Sequence, residues 1–308
     1  MNLQNYLSEI TKESAGCYKV SNLADSYTFC KKIATKHYEN FPVGSFLIPK
    51  ELRPHFYAVY AYARTADDLG DELTGGANTK IGALNTFQKL LTYDYESSEQ
   101  KHPIFYALQN TIKHKNLSLN PFQKLITAFK KDSDFKPFID MRDLLNYCTY
   151  SANPVGELVL GLFSESNKSN LEYSDAICTA LQMANFWQDI SIDKNINRCY
   201  IPVEILAHFD IPLECFTSAN IIFPNTSSFN NCMDYLFQET RSLFTKGRGL
   251  IKNLNNFRLK MEIAAVISGG EMILKKSITH KSELFTFRPR LNIIDKALIM
   301  VNALRLTL

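Results

Sequence analysis

Leu181-Gln182-Met183-Ala184-Asn185-Phe186-Trp187-Gln188-Asp189-Ile190-Ser191-Ile192-Asp193 is the stretch on which the fold and the chemistry turn. Laid on a helix, Gln182, Asn185, Asp189 and Asp193 fall at i, i+3, i+7 and i+11, one polar stripe along one face. Leu181, Ala184, Trp187 and Ile192 point in other directions, which predicts burial on both sides of that stripe. A buried row made only of oxygen-bearing side chains needs partners, because an isolated buried carboxylate is very costly. Hard cations such as Mg²⁺ can supply them. They take oxygen ligands, often one or two carboxylates with waters and a substrate phosphate.

A second acidic segment lies upstream, Tyr60-Ala61-Tyr62-Ala63-Arg64-Thr65-Ala66-Asp67-Asp68-Leu69-Gly70-Asp71-Glu72. Asp67 and Asp71 are i and i+4, so their carboxylates stack on one helix face, with Arg64 on the same side. Like charges at this spacing cost an isolated helix roughly a few tenths of a kcal/mol, so stability does not explain them. Taken alone, the segment reads better as a solvated acidic helix end. Two acidic helices bridged by Mg²⁺ to a diphosphate would account for both segments at once. Such a site would ionise a diphosphate ester, the metal and nearby cations taking up the charge on the leaving group. Aromatic walls would then hold the carbocation away from water, at roughly 1–2 kcal/mol per ring face. The 21 phenylalanines and 15 tyrosines provide ample material, although most belong to plain core.

The rest of the chain fits a helical frame. Apolar positions recur every three or four residues over Leu23–Tyr38, Pro54–Leu73, 80–94, 103–116, 121–131, 140–163, 171–194, 229–254, 257–280 and 291–306. Alternating strand patterns are nearly absent. The breaks are short and polar, apart from an irregular stretch near 207–228, and no repeat or low-complexity linker interrupts the 308 residues. An all-α fold in one large domain, residues 1–308, is expected.

Composition removes several function classes. Glycine numbers only 12, and neither GxGxxG nor GxxxxGK[ST] occurs, so a glycine-rich nucleotide cradle is absent. With 34 basic against 31 acidic residues the net charge is +3, without the basic stripe of a nucleic-acid binder. The seven cysteines form no CxxC pair, which favours reduced core thiols in a cytoplasmic setting. The six histidines are scattered, and the basic positions from Lys246 to Lys260 read as a solvated helix face. No signal peptide or membrane-spanning run is visible. The C-terminal stripe Ile294, Ala297, Leu298, Val301 and Leu304 could rest on a membrane, with packing on the protein's own body as the default expectation.

The two acidic segments resemble the squalene/phytoene synthase family. So do Glu39–Pro49 (ENFPVGSFLIP), the helix from Tyr147 through Ser151-Ala152-Asn153-Pro154-Val155-Gly156 to Glu157, and Arg198-Cys199-Tyr200-Ile201-Pro202. NFPVGSFLIP, RTADD, SANPVG and NFWQD point within it to the bacterial hopanoid-pathway branch of hydroxysqualene synthases. The resemblance covers about residues 25 to 295. It implies an isoprenoid (terpenoid) synthase-like helical bundle around a central apolar cavity.

It also implies roles. Asp67 and Asp71 would form one Mg²⁺-diphosphate cluster, and Asp189 and Asp193 the other, extended by Asn185 and Gln182. Arg64 would contact the diphosphate, Ser45 would offer it a hydroxyl, and Arg198 and Tyr200 would close the site. Tyr147 would face the substrate, with a core tyrosine as the alternative. The reaction implied converts presqualene diphosphate to hydroxysqualene and diphosphate by ionisation and water quench. A downstream squalene-forming oxidoreductase would be the partner.

Departures from the family pattern refine this. Asn153-Pro154 replaces a common glycine, and proline kinks a helix by removing one hydrogen bond. Asn153, or a carbonyl freed there, is a candidate to position the quenching water; a purely kink-shaping role is the plainer alternative. Gln188 stands where phytoene- and dehydrosqualene-type relatives carry arginine, and Gly44 where some carry lysine. The two missing cations suggest one bound diphosphate rather than two. Two alternatives stay open: a squalene, dehydrosqualene or phytoene synthase starting from two prenyl diphosphates such as farnesyl diphosphate, and a non-catalytic scaffold of the same fold.

Overall fold

Nearly every apolar repeat in the sequence becomes a helix in the computed structural model, which describes residues 3–36, 47–97, 101–218 and 223–307. The fold is all-α, as expected. Among the described residues the one extended pairing outside helices is a single antiparallel bridge between Val20 and Lys101. The chain divides into two compact units, residues 1–134 with 157–166, and residues 135–156 with 167–308. None of the described helices is long and apolar enough to cross a membrane.

The first unit contains α1 (Leu3–Ile10), α2 (Leu23–Lys36), α3 (Arg53–Asp71), α4 (Ala77–Lys89), α5 (Phe105–Lys115) and α6 (Asn120–Ser133). Helix α1 was not expected from the apolar periodicity, because its buried face is short: Tyr6, Leu7 and Ile10. Helix α3 is the axis, packed by α2, α4, α5 and α6. Pro54 sits in its first turn, where a missing N–H costs nothing. Its inner face buries Phe56, Tyr62, Ala66 and Leu69. Tyr62 packs its ring against Phe87, Phe105 and Phe122 and donates its hydroxyl to the Phe122 carbonyl at 3.1 Å. That bond satisfies the polar end of a fully buried ring.

The second unit begins with α7 (Met141–Ser151), leads into α8 (Asn153–Leu162), and resumes at α9 (Lys168–Gln188) and α10 (Ile190–Asp193). It then adds α11 (Val203–His208), α12 (Glu214–Thr217), α13 (Thr226–Gly247), α14 (Gly249–Asn253), α15 (Phe257–Thr279) and α16 (Ile293–Thr307). Three helices expected as continuous are divided. The stretch 140–163 breaks at Ala152, because Pro154 cannot donate to a preceding turn and instead occupies the first turn of α8. The stretch 171–194 breaks at Asp189, and 229–254 breaks at Arg248.

Helix α9 is central to this unit, meeting α7, α13, α14 and α15. Its Trp187 is fully buried and donates Nε1–H to Thr240 Oγ1 on α13 at 2.9 Å. Gly156 permits a close approach at the start of α8: a Cβ there would press on Ser174 Oγ and lie 2.7 Å from Cys178 Sγ. All seven cysteines are free.

Candidate active site

The last turns of α3 carry the first acidic pair, and they carry it against the electrostatics of the helix. Carboxylates near a helix C-terminus meet the negative end of its dipole, and no basic residue occupies that last turn. Asp67 and Asp71 share a face as the spacing predicted. Arg64 does not project freely from that face. Its Nη1 lies 3.2 Å from Asp67 Oδ2 and its Nη2 lies 2.5 Å from Asp68 Oδ1, with Asp68 buried. The Arg64 Nε is buried and finds no hydrogen-bond partner among the described residues.

Burial pushes the Asp67 carboxyl up to about 7, and the Asp71 charge adds to the shift; both outweigh the opposing pull of Arg64. A carboxyl in that state accepts a cation readily, because a cation relieves the repulsion that the protein leaves uncompensated. Glu72 and Leu73 donate backbone N–H groups to the Asp68 carbonyl, and Lys80 donates to the Asp71 carbonyl at 2.9 Å. The chain end of α3 is thereby fixed.

In the second unit the helix ladder survives the break at Asp189. The Asp189 N–H donates to the Asn185 carbonyl, and the Asp193 N–H donates to the Asp189 carbonyl, both at 2.9 Å. The i, i+4 relation of the two aspartates therefore holds. The flanks differ from expectation, however. Ile192 is 49% exposed and Asn185 is exposed, so the stripe borders an open face and is not enclosed on both sides. Gln182, Asp189 and Asp193 are half-buried. Burial again dominates at Asp193, whose carboxyl is pushed up to about 7; repulsion from Asp189 adds to it, and Arg198 and Arg288 oppose it.

Arg288 was not expected from sequence. It grips Asp189 with a fork, Nε to Oδ1 and Nη2 to Oδ2, the latter at 3.1 Å. Its loop is tied to the end of α9 by Gln188, which is buried and donates Nε2–H to the Pro289 carbonyl at 2.7 Å. A guanidinium from 99 residues beyond Asp189 thus lies at this acidic pair, although Gln188 itself carries no charge. That weakens the inference of a single diphosphate drawn from cation loss.

Beside this acidic pair lies an aromatic cluster. Tyr200 stacks on Phe186 with centroids 4.0 Å apart and planes at 8°. Phe135 meets Tyr200 edge-on at 5.0 Å, with the Arg198 guanidinium 5.9 Å from the Phe135 centroid. Phe138 and Phe186 flank Tyr147, which is buried with only 6% of its surface exposed. Phe186, Ile190, Asp193, Arg198 and Tyr200 line a narrow recess there. Asn153 is half-buried, and its Oδ1 accepts the Thr179 hydroxyl at 3.0 Å. Ser45 lies outside the described residues.

Among the described residues no group of three or more His, Cys, Asp or Glu gathers into a metal cage. Each acidic pair fits Mg²⁺ in a different way, with one or two carboxylates and the other positions left to water and substrate oxygens. The orphaned Nε–H of Arg64 suits a polyanionic ligand, whereas the fork of Arg288 is taken up by Asp189.

Comparison with known proteins identifies the family. Residues 34–294 match the Squalene/phytoene synthase family. The hydroxysqualene synthase of Zymomonas mobilis subsp. mobilis is 31% identical over 234 residues, which is 74% of this chain and 75% of that protein. The hydroxysqualene synthase of Rhodopseudomonas palustris is 29% identical over 238 residues, 77% of this chain and 78% of that protein. The crystal structure of squalene synthase HpnC from Alicyclobacillus acidocaldarius superposes with a TM-score of 0.75 at 36% identity, over 84% of this chain and 95% of that one. The chain therefore belongs to the squalene/phytoene synthase family.

Proposed function

We propose that this enzyme converts presqualene diphosphate and water to hydroxysqualene and inorganic diphosphate with Mg²⁺, in triterpenoid (hopanoid-type) biosynthesis. The observation that carries the proposal is the pairing of carboxylates. Each unit sets one carboxyl pushed to about 7 beside a second aspartate, with a guanidinium in contact. The relatives named hydroxysqualene synthase supply the choice of substrate and product.

In this reading Asp67 and Asp71 would hold one metal cluster, Asp189 and Asp193 with Asn185 would hold the other, and residues 1–308 act as one catalytic domain. Bound Mg²⁺ would neutralise charge on the departing diphosphate. Arg64, Arg198, Arg288 and Ser45 would bind and orient that group. The bond from the cyclopropylcarbinyl carbon to the diphosphate oxygen breaks, and both electrons leave with the oxygen. Tyr147, Phe186 and Tyr200 offer ring faces to the cation and keep bulk water away. Gln182 reaches toward the reacting chain. Asn153 positions one water, whose oxygen bonds to the cation and whose proton leaves to solvent. The seven free thiols suit a cytoplasmic setting.

Asp189→Ala tests the site. It should abolish turnover while the far-ultraviolet circular dichroism stays that of the helical fold; full activity would overturn the assignment. A second reading, synthesis from two farnesyl diphosphates, is favoured by one observation: Arg288 restores a cation at the second acidic pair. Incubation with farnesyl diphosphate alone separates the two, since product formed without a partner enzyme would establish the second.

A further inference from the structure

Helix α16 is apolar on both sides, and one side has no cover among the described residues. Asp295, Ile299 and Ala303 are buried, and α15 is the helix that α16 packs against most extensively. The other side stands open: Ile293 is 79% exposed, Ile294 66%, Val301 and Leu304 47% each, and Leu298 46%. At 100° per residue these five fall on one continuous arc of about 140°, wider than the stripe a surface helix needs for a single contact. The default expectation that Ile294, Leu298, Val301 and Leu304 pack on the protein's own body is overturned.

The charges on the helix show what this face fits. Its one acid, Asp295, is buried and ion-paired with Lys276 at 2.6 Å, so it presents no negative charge outward. The charged side chains α16 does expose are Lys296 and Arg305, and Arg290 is exposed just before its start. A helix with an apolar outer arc and only basic exposed charges matches an anionic bilayer surface, where apolar groups enter the headgroup boundary and cations meet lipid phosphates. A second copy of the chain would present the same positive charges to itself. One face of a 15-residue helix, about 22 Å long, also offers far less than the roughly 800 Å² per partner of a stable dimer.

We propose that α16 is a membrane-docking element, lying in the plane of an anionic phospholipid surface with Ile294, Leu298 and Val301 inserted. This stands independently of the reaction assigned above, because it rests on surface residues far in sequence from both acidic pairs.

The test is co-sedimentation of the full chain with vesicles of phosphatidylcholine alone and with about one-third phosphatidylglycerol. The wild type should bind the anionic vesicles and bind them less as salt rises. I294E/V301E should bind at least about tenfold more weakly, and R305E about tenfold more weakly at low salt. Helical content and diphosphate-ester turnover in detergent should not change, since none of these residues belongs to the acidic site. I294S/V301S, which adds no charge, guards against a folding artefact and should weaken binding in the same direction. Wild type that ignores anionic vesicles, or variants that bind them equally, would overturn the proposal. So would a concentration-dependent dimer, seen by analytical ultracentrifugation, that the same variants dissociate.

Discussion

Replacing Asp67 with asparagine should make the metal-free protein more stable, and the pH dependence of that gain identifies its cause. Burial and the Asp71 charge lift the Asp67 carboxyl from 3.8 to about 7. Below about pH 4 the carboxyl is protonated in both folded and unfolded chains and contributes nothing. Between pH 4 and 7 the unfolded chain releases its proton while the folded one keeps it, so stability falls as pH rises; the loss is complete above 7. A shift of about three units corresponds to a ceiling of about 4 kcal/mol. The side chain is 37% exposed, so water screens much of the repulsion, and we expect about 1–2 kcal/mol. D67N removes the charge while keeping the shape. Urea unfolding followed by circular dichroism in EDTA should show D67N more stable than wild type by that amount at pH 8. At pH 5 the gain should shrink to roughly a third. Added Mg²⁺ should stabilise the wild type more than D67N, which keeps only the second acidic pair intact. A variant no more stable than wild type at pH 8, or a gain equal at both pH values, would refute the reasoning.

Other substitutions probe the frame and the quench. G156A should cost about 1–3 kcal/mol in thermal unfolding, because its methyl would press on Ser174 and lie 2.7 Å from Cys178 Sγ. T240V strands the buried Trp187 Nε1–H and should cost about 1–3 kcal/mol, with a red-shifted or broadened tryptophan emission as the local signature. N153A should lower the alcohol fraction among products if Asn153 positions the quenching water; an unchanged ratio would leave it as a helix-start residue bonded to Thr179. Q188A should loosen the loop at Pro289 and weaken Mg²⁺-independent binding of inorganic diphosphate, read by calorimetry.

What the sequence revealed was local and periodic. Asp67 with Asp71, and Asp189 with Asp193, could be paired because four residues make about one helical turn, and the fold keeps both relations even where α9 ends at Asp189. Trp187 was correctly assigned to the buried side of its helix, since an indole there has ample apolar surface to bury. Arg288 was invisible because it reaches Asp189 across 99 residues, and no spacing rule links a loop to a helix that far away. The partners of Arg64 are a different case: Asp67 and Asp68 lie three and four residues on along the same helix, so spacing alone allowed the ion pairs that occupy it, although the arginine was read as free to bind substrate. Ile192 and the outer arc of α16 show the opposite error. Apolar character at helical spacing says that a face wants cover, but not whether this chain provides it.

Incubation of the purified protein with presqualene diphosphate and Mg²⁺, with products identified by mass spectrometry, tests the account most directly. It predicts hydroxysqualene and inorganic diphosphate, formed without NADPH and abolished by EDTA. Unreacted presqualene diphosphate, or squalene or dehydrosqualene in place of the alcohol, would contradict it.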